Sequence, residues 1–274
     1  MGIQSIPQEL ILMVAENLSI EDLNNFLRTC RGLSKLFTPR LHELGLQNVG
    51  SLSALQWAAK HGHEPLVKLA ISKGAKVNEI TKCESKFTVL HLAASSTSTN
   101  PQIIRTLVEH GADVDAKSSD HRTPLHLLMR LKNCTSVEKG ELLRSLLQCG
   151  ADVHAKDKLG DTPAHIASNE KDIKSLNQLI HAGFNVSMKG AGGDTVLHRA
   201  VCGSGRGMKF LLDLEAGRSI INVQNKNGAT PLHIAAEECD RVKVELLLKY
   251  GANTDLEDSR GRTPAQLALR RGGM

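Results

Sequence analysis

Aromatic residues are scarce in this sequence. Its 274 residues include one Trp, one Tyr and five Phe, only 3% of the chain, although 41% of the residues are hydrophobic. An apolar content of this size is enough for a large buried core, but a compact enzyme of this length usually has more aromatic side chains in it. The shortage therefore favours a thin, repeated structure that is packed by Leu, Ala, Ile and Val.

Long apolar runs and dense clusters of one charge are also missing. No apolar run approaches the roughly 20 residues that a membrane helix needs. The formal charge is +5, but Lys and Arg are scattered along the chain, so the sequence argues against nucleic-acid binding. The N-terminus carries Glu9 and Glu16 and has no basic start, which is unlike a secretory signal. We therefore expect no membrane partner and no nucleic-acid partner.

The six cysteines form no C-x-x-C pair. Without an export signal, cysteines of this kind are expected to be reduced thiols, which predicts a cytoplasmic or nuclear protein. The chain also lacks a phosphate-binding loop, metal-ligand spacing and a nucleophile constellation. We therefore expect no cofactor, no bound metal and no catalytic activity.

What the sequence does contain is a repeat. A Thr or Ser that begins a stretch similar to T-P-L-H recurs every 33 to 39 residues, at Ser53, Thr88, Thr123, Thr162, Thr195, Thr230 and Thr263. A Gly followed by Ala or Phe recurs in phase, at Gly74, Gly111, Gly150, Gly183 and Gly251. Two markers that recur together at this period indicate stacked repeats.

The physical roles of these markers predict the shape of each unit. Thr suits the N-cap of a helix, where its hydroxyl can accept a hydrogen bond from a backbone N–H. Pro is favoured at the first helical position, and His then falls at the third, from which a side chain can reach back to the cap. The later Gly can end the second helix in a left-handed conformation. Each unit is therefore helix, loop, helix and an extended hairpin.

Five histidines occupy the same position in successive units, at His91, His126, His165, His198 and His233. Stacked units place equivalent atoms about 10 Å apart, too far to share a metal that is bound at roughly 2 Å. We interpret these histidines as caps that also form hydrogen bonds between repeats. Gln56 and Gln266 replace His in the first and last units, and Gln also suits this position.

The spacing of the two markers locates the insertions. In the second unit the extra residues fall between the helices, in "SSTSTNP", and in the third they fall around "NCTSVEKG". The first unit has its extra residues in the hairpin near "EITKCESK".

On these motifs, residues 51–274 resemble the ankyrin-repeat family. The resemblance implies an all-α solenoid with β-hairpin fingers, whose fingers and inner helices bind protein partners without a cofactor. We place the repeats in residues 47–274, in units near 51–83, 84–118, 119–157, 158–190, 191–225 and 226–258 with a partial unit at 259–274.

The fifth unit departs from this pattern. Arg199 replaces an apolar residue, and the glycine-rich "GSGRG" lies between the helices. Interior helical glycines each cost about 0.5–1 kcal/mol relative to Ala, so this unit is expected to be a weak point in the array. We predict faster amide exchange in residues 199–217 than in residues 230–250. The partial last unit, with Arg270 and Arg271, is expected to be a polar cap or a truncated repeat.

Residues 1–46 have a different pattern, which predicts three short amphipathic helices. "SIPQELI" fits a helix start, and the segments "IEDL" and "LRTCRGL" follow it. This stretch resembles an F-box of the fungal type. The resemblance implies docking on the Skp-type adaptor of a cullin–RING ubiquitin ligase through Ile6, Pro7, Leu10 and Ile11. The alternative is that these helices only cap the repeats.

Together, the two resemblances imply a substrate receptor of a ubiquitin ligase, monomeric outside the complex, whose ankyrin repeats bind a client protein. The alternative is a scaffold or inhibitor without a ligase link. Client contacts are expected at positions that do not maintain the repeat. The candidates are Asp120, His121, Arg122, Met129, Arg130, Lys158, Leu159, Asp161, Asn169, Glu170, Lys226, Asn227, Glu237 and Glu238.

Overall fold

The structure is a computed structural model that describes residues 53–98, 100–132, 134–169, 172–203 and 205–272. Within these ranges the chain forms helices joined by turns, and none of them contains a β-strand. The all-α prediction is therefore confirmed. The predicted three-helix module of residues 1–46 lies outside the described residues.

The helices occur in pairs, each with an inner helix that begins directly after a marker Thr or Ser and an outer helix that follows it. In chain order they are α1 (Ala54–Lys60), α2 (Glu64–Ser72), α3 (Val89–Ala94), α4 (Pro101–Glu109), α5 (Pro124–Arg130), α6 (Ser136–Gln148), α7 (Pro163–Asn169), α8 (Ile173–His181), α9 (Val196–Cys202), α10 (Gly205–Asp213), α11 (Glu215–Arg218), α12 (Pro231–Glu237), α13 (Arg241–Lys249) and α14 (Pro264–Gly272).

The described chain divides into two compact units. The first runs to Leu127 and includes Gln148–Gly150, and the second comprises Leu128–Leu147 and the residues from Ala151 onward. In the first unit, α1 packs against α2 and α3, and α4 packs against α2 and α3. The core there is aliphatic and includes the fully buried Leu90, Ile103 and Leu107, as the shortage of aromatic residues predicts.

The second unit repeats this packing over more helices. Each of the inner helices α7, α9 and α12 packs against its own outer helix and against the inner helix of the next repeat. Leu179, Leu197, Leu211 and Leu247 are fully buried. Burying one Leu side chain contributes roughly 1.5–3 kcal/mol, so the contacts between neighbouring repeats stabilise the array mainly through aliphatic packing.

The fingers between repeats are hairpin loops without a strand ladder, which corrects the expected β-hairpins. One backbone hydrogen bond closes the base of each loop, as from Asp157 N to the Asp161 carbonyl at 2.9 Å and from Asn225 N to the Ala229 carbonyl at 2.9 Å. Neighbouring fingers are joined by single bonds, such as Lys226 N to the Gly192 carbonyl. These bonds are too few to form a β-ladder.

Glycine ends the outer helices, as predicted. The marker glycines Gly74, Gly111, Gly150, Gly183 and Gly251 all have φ between 85° and 95°, a backbone conformation that other residues adopt only with strain. The fifth repeat has no such Gly. There the additional turn α11 follows α10, and it ends at Ser219, which has right-handed helical angles.

The insertions lie where their spacing predicts. The third repeat takes up its extra residues in the loop before α6 and in α6 itself, which has 13 residues. Lys139 of α6 is buried, and its ammonium group donates to the Met129 carbonyl at 2.9 Å and pairs with Asp172 at 2.8 Å. These bonds offset part of the cost of burying a lysine and tie the inserted segment to the following repeat.

Candidate protein-binding surface

The recurring histidines form hydrogen bonds within the scaffold. In the second repeat, the backbone N–H of Thr88 donates to His91 Nδ1 at 3.1 Å, and the Thr88 hydroxyl lies 2.8 Å from the same nitrogen. The other ring nitrogen, Nε2, lies 2.8 Å from the carbonyl of Arg122 in the next finger. Because Nδ1 accepts a hydrogen bond, Nε2 must carry the proton, and the ring is neutral.

The same geometry recurs in later repeats. Nε2 of His165, His198 and His233 lies 3.0–3.1 Å from the carbonyl oxygen of Asp194, Ala229 and Arg262, respectively. The predicted cap and the predicted bond between repeats are thus confirmed at these positions. Within the described ranges, no three His, Cys, Asp or Glu residues are placed so that they could hold a metal ion.

Burial changes the pKa of three of these histidine rings. It lowers the pKa of His91, His165 and His198, because the charged imidazolium is disfavoured away from water. Hydrogen bonds from Nε2 to backbone carbonyls oppose this shift without overcoming it. These three rings therefore stay neutral at physiological pH and do not resemble general acids or bases exposed in a cleft.

The finger tips carry several of the predicted client contacts. Asp120 and His121 are exposed, and His121 lies at the turn with a φ of 57°. Arg122 is half-buried and pairs with Asp120 at 3.1 Å. In later fingers Lys158, Leu159, Lys226 and Asn227 are exposed.

Asp161 lies at the base of its finger and is engaged within the protein. One carboxylate oxygen accepts from Ala191 N at 2.8 Å, and the other pairs with Arg199 Nη2 at 3.2 Å. The side chain is only 15% exposed. Asp161 therefore positions the next finger, which corrects its prediction as a client contact.

Met129 is also corrected. Its side chain is fully buried, with 0% exposure, because it lies at a position of the inner helix that the neighbouring repeats use for packing. Arg130 and Asn169, at the ends of inner helices, are exposed. Glu170 lies outside the described residues, as do Ile6, Pro7, Leu10 and Ile11.

Glu237 and Glu238, at the end of α12, are both exposed. Glu238 pairs with Lys243 of the following outer helix at 2.9 Å. Glu237 lies close enough to Arg262 to raise the pKa of that guanidinium, although the hydrogen bonds that the guanidinium donates to Asp258 are the larger cause.

Sequence reasoning missed two features. Arg199, which replaces an apolar residue of the motif, has a guanidinium that binds Asp161 of the previous repeat at 3.2 Å and Asp194 at 3.4 Å. The second feature is Leu269, which is 77% exposed.

The comparisons with known proteins decide the family. The model described as "Ankyrin repeats (3 copies)" matches residues 12–118, 55–139, 131–220 and 209–273. The chain belongs to the ankyrin-repeat family. The first match begins at residue 12, inside the stretch for which the F-box-like module is predicted, and that module stays a prediction.

Relatives of this ankyrin-repeat protein are functionally diverse. This chain is 33% identical over 203 residues to the Drosophila melanogaster transient receptor potential cation channel subfamily A member 1, and the match covers 61% of this chain and 17% of the channel. It is 26% identical over 239 residues to NF-kappa-B inhibitor zeta of Bos taurus, covering 83% of this chain and 31% of the inhibitor. The chain thus spans less than a third of the length of either relative.

A solved structure is similar over most of the chain. The ankyrin-repeat domain of Bcl-3, described as a unique member of the IkappaB protein family, has a TM-score of 0.67 and 25% identity. The likeness covers 79% of this chain and 94% of the Bcl-3 domain. Among the residues with described positions, no helix is long and apolar enough to cross a membrane.

Proposed function

We propose that this ankyrin-repeat protein is a protein-binding adaptor whose finger tips and inner-helix ends hold a client protein. One observation carries this proposal. The residues that define the repeat are used for caps and core, whereas those at the tips are exposed and chemically different from one repeat to the next. Variable side chains on a regular scaffold are suited to recognising another protein.

The finger at Lys158 and Leu159 is a natural anchor for a client. Leu159 is 68% exposed although it is a large apolar residue, and its backbone N–H is fixed by Asp157 Oδ1 at 2.9 Å. A rigid turn that presents an apolar side chain loses little entropy on binding. A client with an apolar pocket that is flanked by a carboxylate would suit Leu159 and Lys158.

The finer proposal is that the client is presented to a ubiquitin ligase. It rests on the F-box-like residues Ile6, Pro7, Leu10 and Ile11, which would dock a Skp-type adaptor. The mechanism would be proximity, because holding a client beside a ubiquitin-carrying enzyme raises the effective concentration of the reacting groups. On this proposal the chain itself catalyses nothing and works in the cytoplasm or nucleus.

A second candidate is a scaffold or inhibitor with no ligase link. The likeness to NF-kappa-B inhibitor zeta and to the Bcl-3 ankyrin domain favours it, since the first is described as an NF-kappa-B inhibitor and the second as a member of the IkappaB protein family. On this alternative, the N-terminal helices would only cap the stack.

Co-purification with a Skp-type adaptor separates the two candidates. We expect wild type to form the complex and an Ile6→Ala/Pro7→Ala/Leu10→Ala variant to lose it while circular dichroism shows an intact repeat fold. If wild type forms no complex, the ligase proposal is wrong and the scaffold remains.

The client surface needs its own test. Leu159→Gln should weaken capture of whichever client co-purifies from cells, whereas Val137→Gln should not. Val137 is a matched control because it is also 68% exposed but lies on the outer helix α6. If both variants lose client capture equally, or if neither loses it, the proposal that the fingers bind the client is wrong.

A further inference from the structure

Three consecutive fingers of the second compact unit carry exposed lysines. Lys156 and Lys189 each lie six residues before a marker Thr, and Lys158 and Lys226 each lie four residues before one. All four residues are exposed, and all belong to the second unit. Lysines therefore recur at equivalent positions of neighbouring fingers.

Hydrogen bonds hold two of these lysines in line. The Lys156 ammonium group donates to the Lys189 carbonyl at 2.9 Å, and the Lys189 ammonium group donates to the Gln224 carbonyl at 2.8 Å. An ammonium group has three N–H donors, and a carbonyl oxygen has no net charge. Each lysine is therefore held against the next finger while it keeps its positive charge and two N–H groups for a ligand.

The carboxylates close to these lysines in sequence are used within the scaffold. Asp157 is buried and accepts from the backbone N–H groups of Leu159 and Asp161. Asp161 and Asp194 pair with Arg199. Within the described ranges, no acidic side chain forms an ion pair with any of the four lysines. Their positive charge therefore remains available to a partner.

The scaffold does not account for the charge of Lys156 and Lys189. Gln224 occupies the same position in the next finger, and its Nε2 donates to the Glu257 carbonyl at 2.8 Å. The bond between fingers therefore needs only an N–H donor. Glu257, one finger further along, is exposed and acidic, so the row of positive charge ends there.

We infer that the client segment bound by these fingers is acidic and extended. The inference rests on the proposed function, in which the finger tips hold a client. Carboxylates of the segment would pair with the lysines, and an apolar side chain beside them would contact Leu159, which is 68% exposed. Complementary charge of this kind selects one partner over others.

The finger row favours an extended segment over a helix. A helix docks through a stripe of several apolar anchors, and among the described residues of these three fingers Leu159 is the one large apolar side chain that is exposed. Stacked repeats place equivalent atoms about 10 Å apart, and an extended chain advances about 3.3–3.6 Å per residue. We therefore expect carboxylates at about every third residue of the segment.

A single-stranded nucleic acid also carries regularly spaced negative charge. Sites for such strands usually contain aromatic side chains on which the bases stack. Residues 152–161, 185–194 and 222–229 contain no Phe, Tyr or Trp, whereas Leu159 offers an apolar contact beside Lys158. The fingers are therefore better suited to a protein segment.

The test uses the full chain and fluorescently labelled peptides of about 12 residues that carry one Leu and have Glu at every third position, separated by Gly and Ser. A second peptide has the same composition with the Glu residues grouped at one end, and a third has Lys in place of Glu. Fluorescence anisotropy at low salt should show that the spaced acidic peptide binds several-fold more tightly than the grouped one. The basic peptide should not bind, and added salt should weaken the acidic complex.

The variant Lys156→Gln/Lys189→Gln/Lys226→Gln should weaken binding of the spaced peptide by about tenfold, since it removes three ion pairs at an exposed surface. Gln is chosen because Gln224 already makes the bond between fingers, so the scaffold should be retained. Circular dichroism checks the fold.

The matched control is Lys174→Gln/Lys209→Gln/Lys249→Gln. It changes the net charge by the same amount, but these exposed lysines lie on the outer helices α8, α10 and α13 of the same unit. Binding of the spaced peptide should not change by more than about twofold. An equal loss in the two triple variants would show that the peptide responds to net charge and not to the fingers.

Three other results would overturn the inference. They are no binding of the acidic peptides, equal binding of the spaced and grouped peptides, and a single-stranded oligonucleotide that binds more tightly than the peptides and depends on the finger lysines but not on Leu159. If any of these is found while Leu159→Gln still abolishes client capture, the fingers bind a client of another chemistry. If Leu159→Gln also leaves client capture unchanged, the proposed finger site itself is wrong.

Discussion

The fifth and sixth repeats reach the same fold by different means. The sixth keeps the motif intact, with Pro231 at the start of α12 and Gly251 ending α13. The fifth has Arg199 on its inner helix, two glycines in α10 and an additional turn where the terminal Gly is expected. Both nevertheless share the capping box and the histidine bond to the next finger.

This difference shows which parts of the repeat can vary. The fifth repeat replaces an apolar contact by ion pairs with Asp161 and Asp194, whereas the sixth has Ile234 at the position of Arg199. The cap is kept in both because no other group satisfies the buried Thr N–H and the carbonyl of the next finger.

Acid should have the largest effect, because it acts on several caps at once. The folded pKa of His91, His165 and His198 is lowered, whereas the unfolded value is about 6.5. Between these values the unfolded chain binds more protons, so the free energy of unfolding falls as pH falls below about 6.5. Urea titrations between pH 7.5 and pH 5 measure this loss.

His198→Gln provides the control for the acid effect. Gln caps the first repeat at Gln56 and does not titrate, so this variant should lose less stability on acidification than wild type. A stability that does not change with pH below 6.5 would mean that the buried histidines are not the titrating groups.

His233→Ala should destabilise the sixth repeat by about 3 kcal/mol, since it removes a buried ring and leaves the Thr230 N–H and the Arg262 carbonyl without their partner. Gln266→Ala, at the same position of α14, should cost only about 0.5–1 kcal/mol. Chemical denaturation of both variants measures the difference. Equal losses would show that the bond to the next finger contributes nothing.

Arg199→Ile should destabilise the fifth repeat by about 1–2 kcal/mol, although other repeats carry an apolar residue there, because Asp161 and Asp194 lose their cation. The side chain is 26% exposed, so solvent screening keeps the effect below that of a buried pair. In an Asp161→Asn background, Arg199→Ile should lower the free energy of unfolding by a smaller amount. If Arg199→Ile stabilises the chain, Arg199 is a defect after all.

Gly207→Ala should stabilise the fifth repeat by about 0.5–1 kcal/mol. Gly207 lies in α10 with no atom within 4 Å of an added Cβ, so Ala removes a flexible residue without a clash. In wild type, amides of residues 199–217 should exchange faster than those of residues 230–250. Hydrogen exchange should show that Gly207→Ala narrows this difference.

Gly217→Ala is the opposing control, since an added Cβ there would collide with the Leu211 carbonyl, and it should destabilise the same repeat. Equal protection of the two segments in wild type would show that the fifth repeat is not a weak point.

Most of the scaffold could be predicted because its signals are local. A Thr at the N-cap and a His three residues later satisfy each other within one helical turn, and Gly251 supplies the positive φ that ends α13. The bond from His198 to the Ala229 carbonyl follows from repetition, since each unit meets its neighbour in the same way.

The binding surface was less predictable. Met129 and Arg130 are adjacent in sequence, yet one is fully buried and the other is exposed. The sequence places Asp161 in a finger, whereas in the structure Ala191 and Arg199 of the next repeat contact its carboxylate. Whether such residues face solvent depends on the neighbouring repeat, and the motif does not encode this.

The ankyrin repeat, its register, its caps and the positions of its insertions can be predicted from the sequence, because each is set by contacts that recur at a fixed spacing. That Arg199 joins two repeats and that Asp161 is engaged within the scaffold follows from the folded structure. Whether a side chain at a given position of the motif is buried or exposed depends on the repeat that packs against it. This packing exists only in the folded protein.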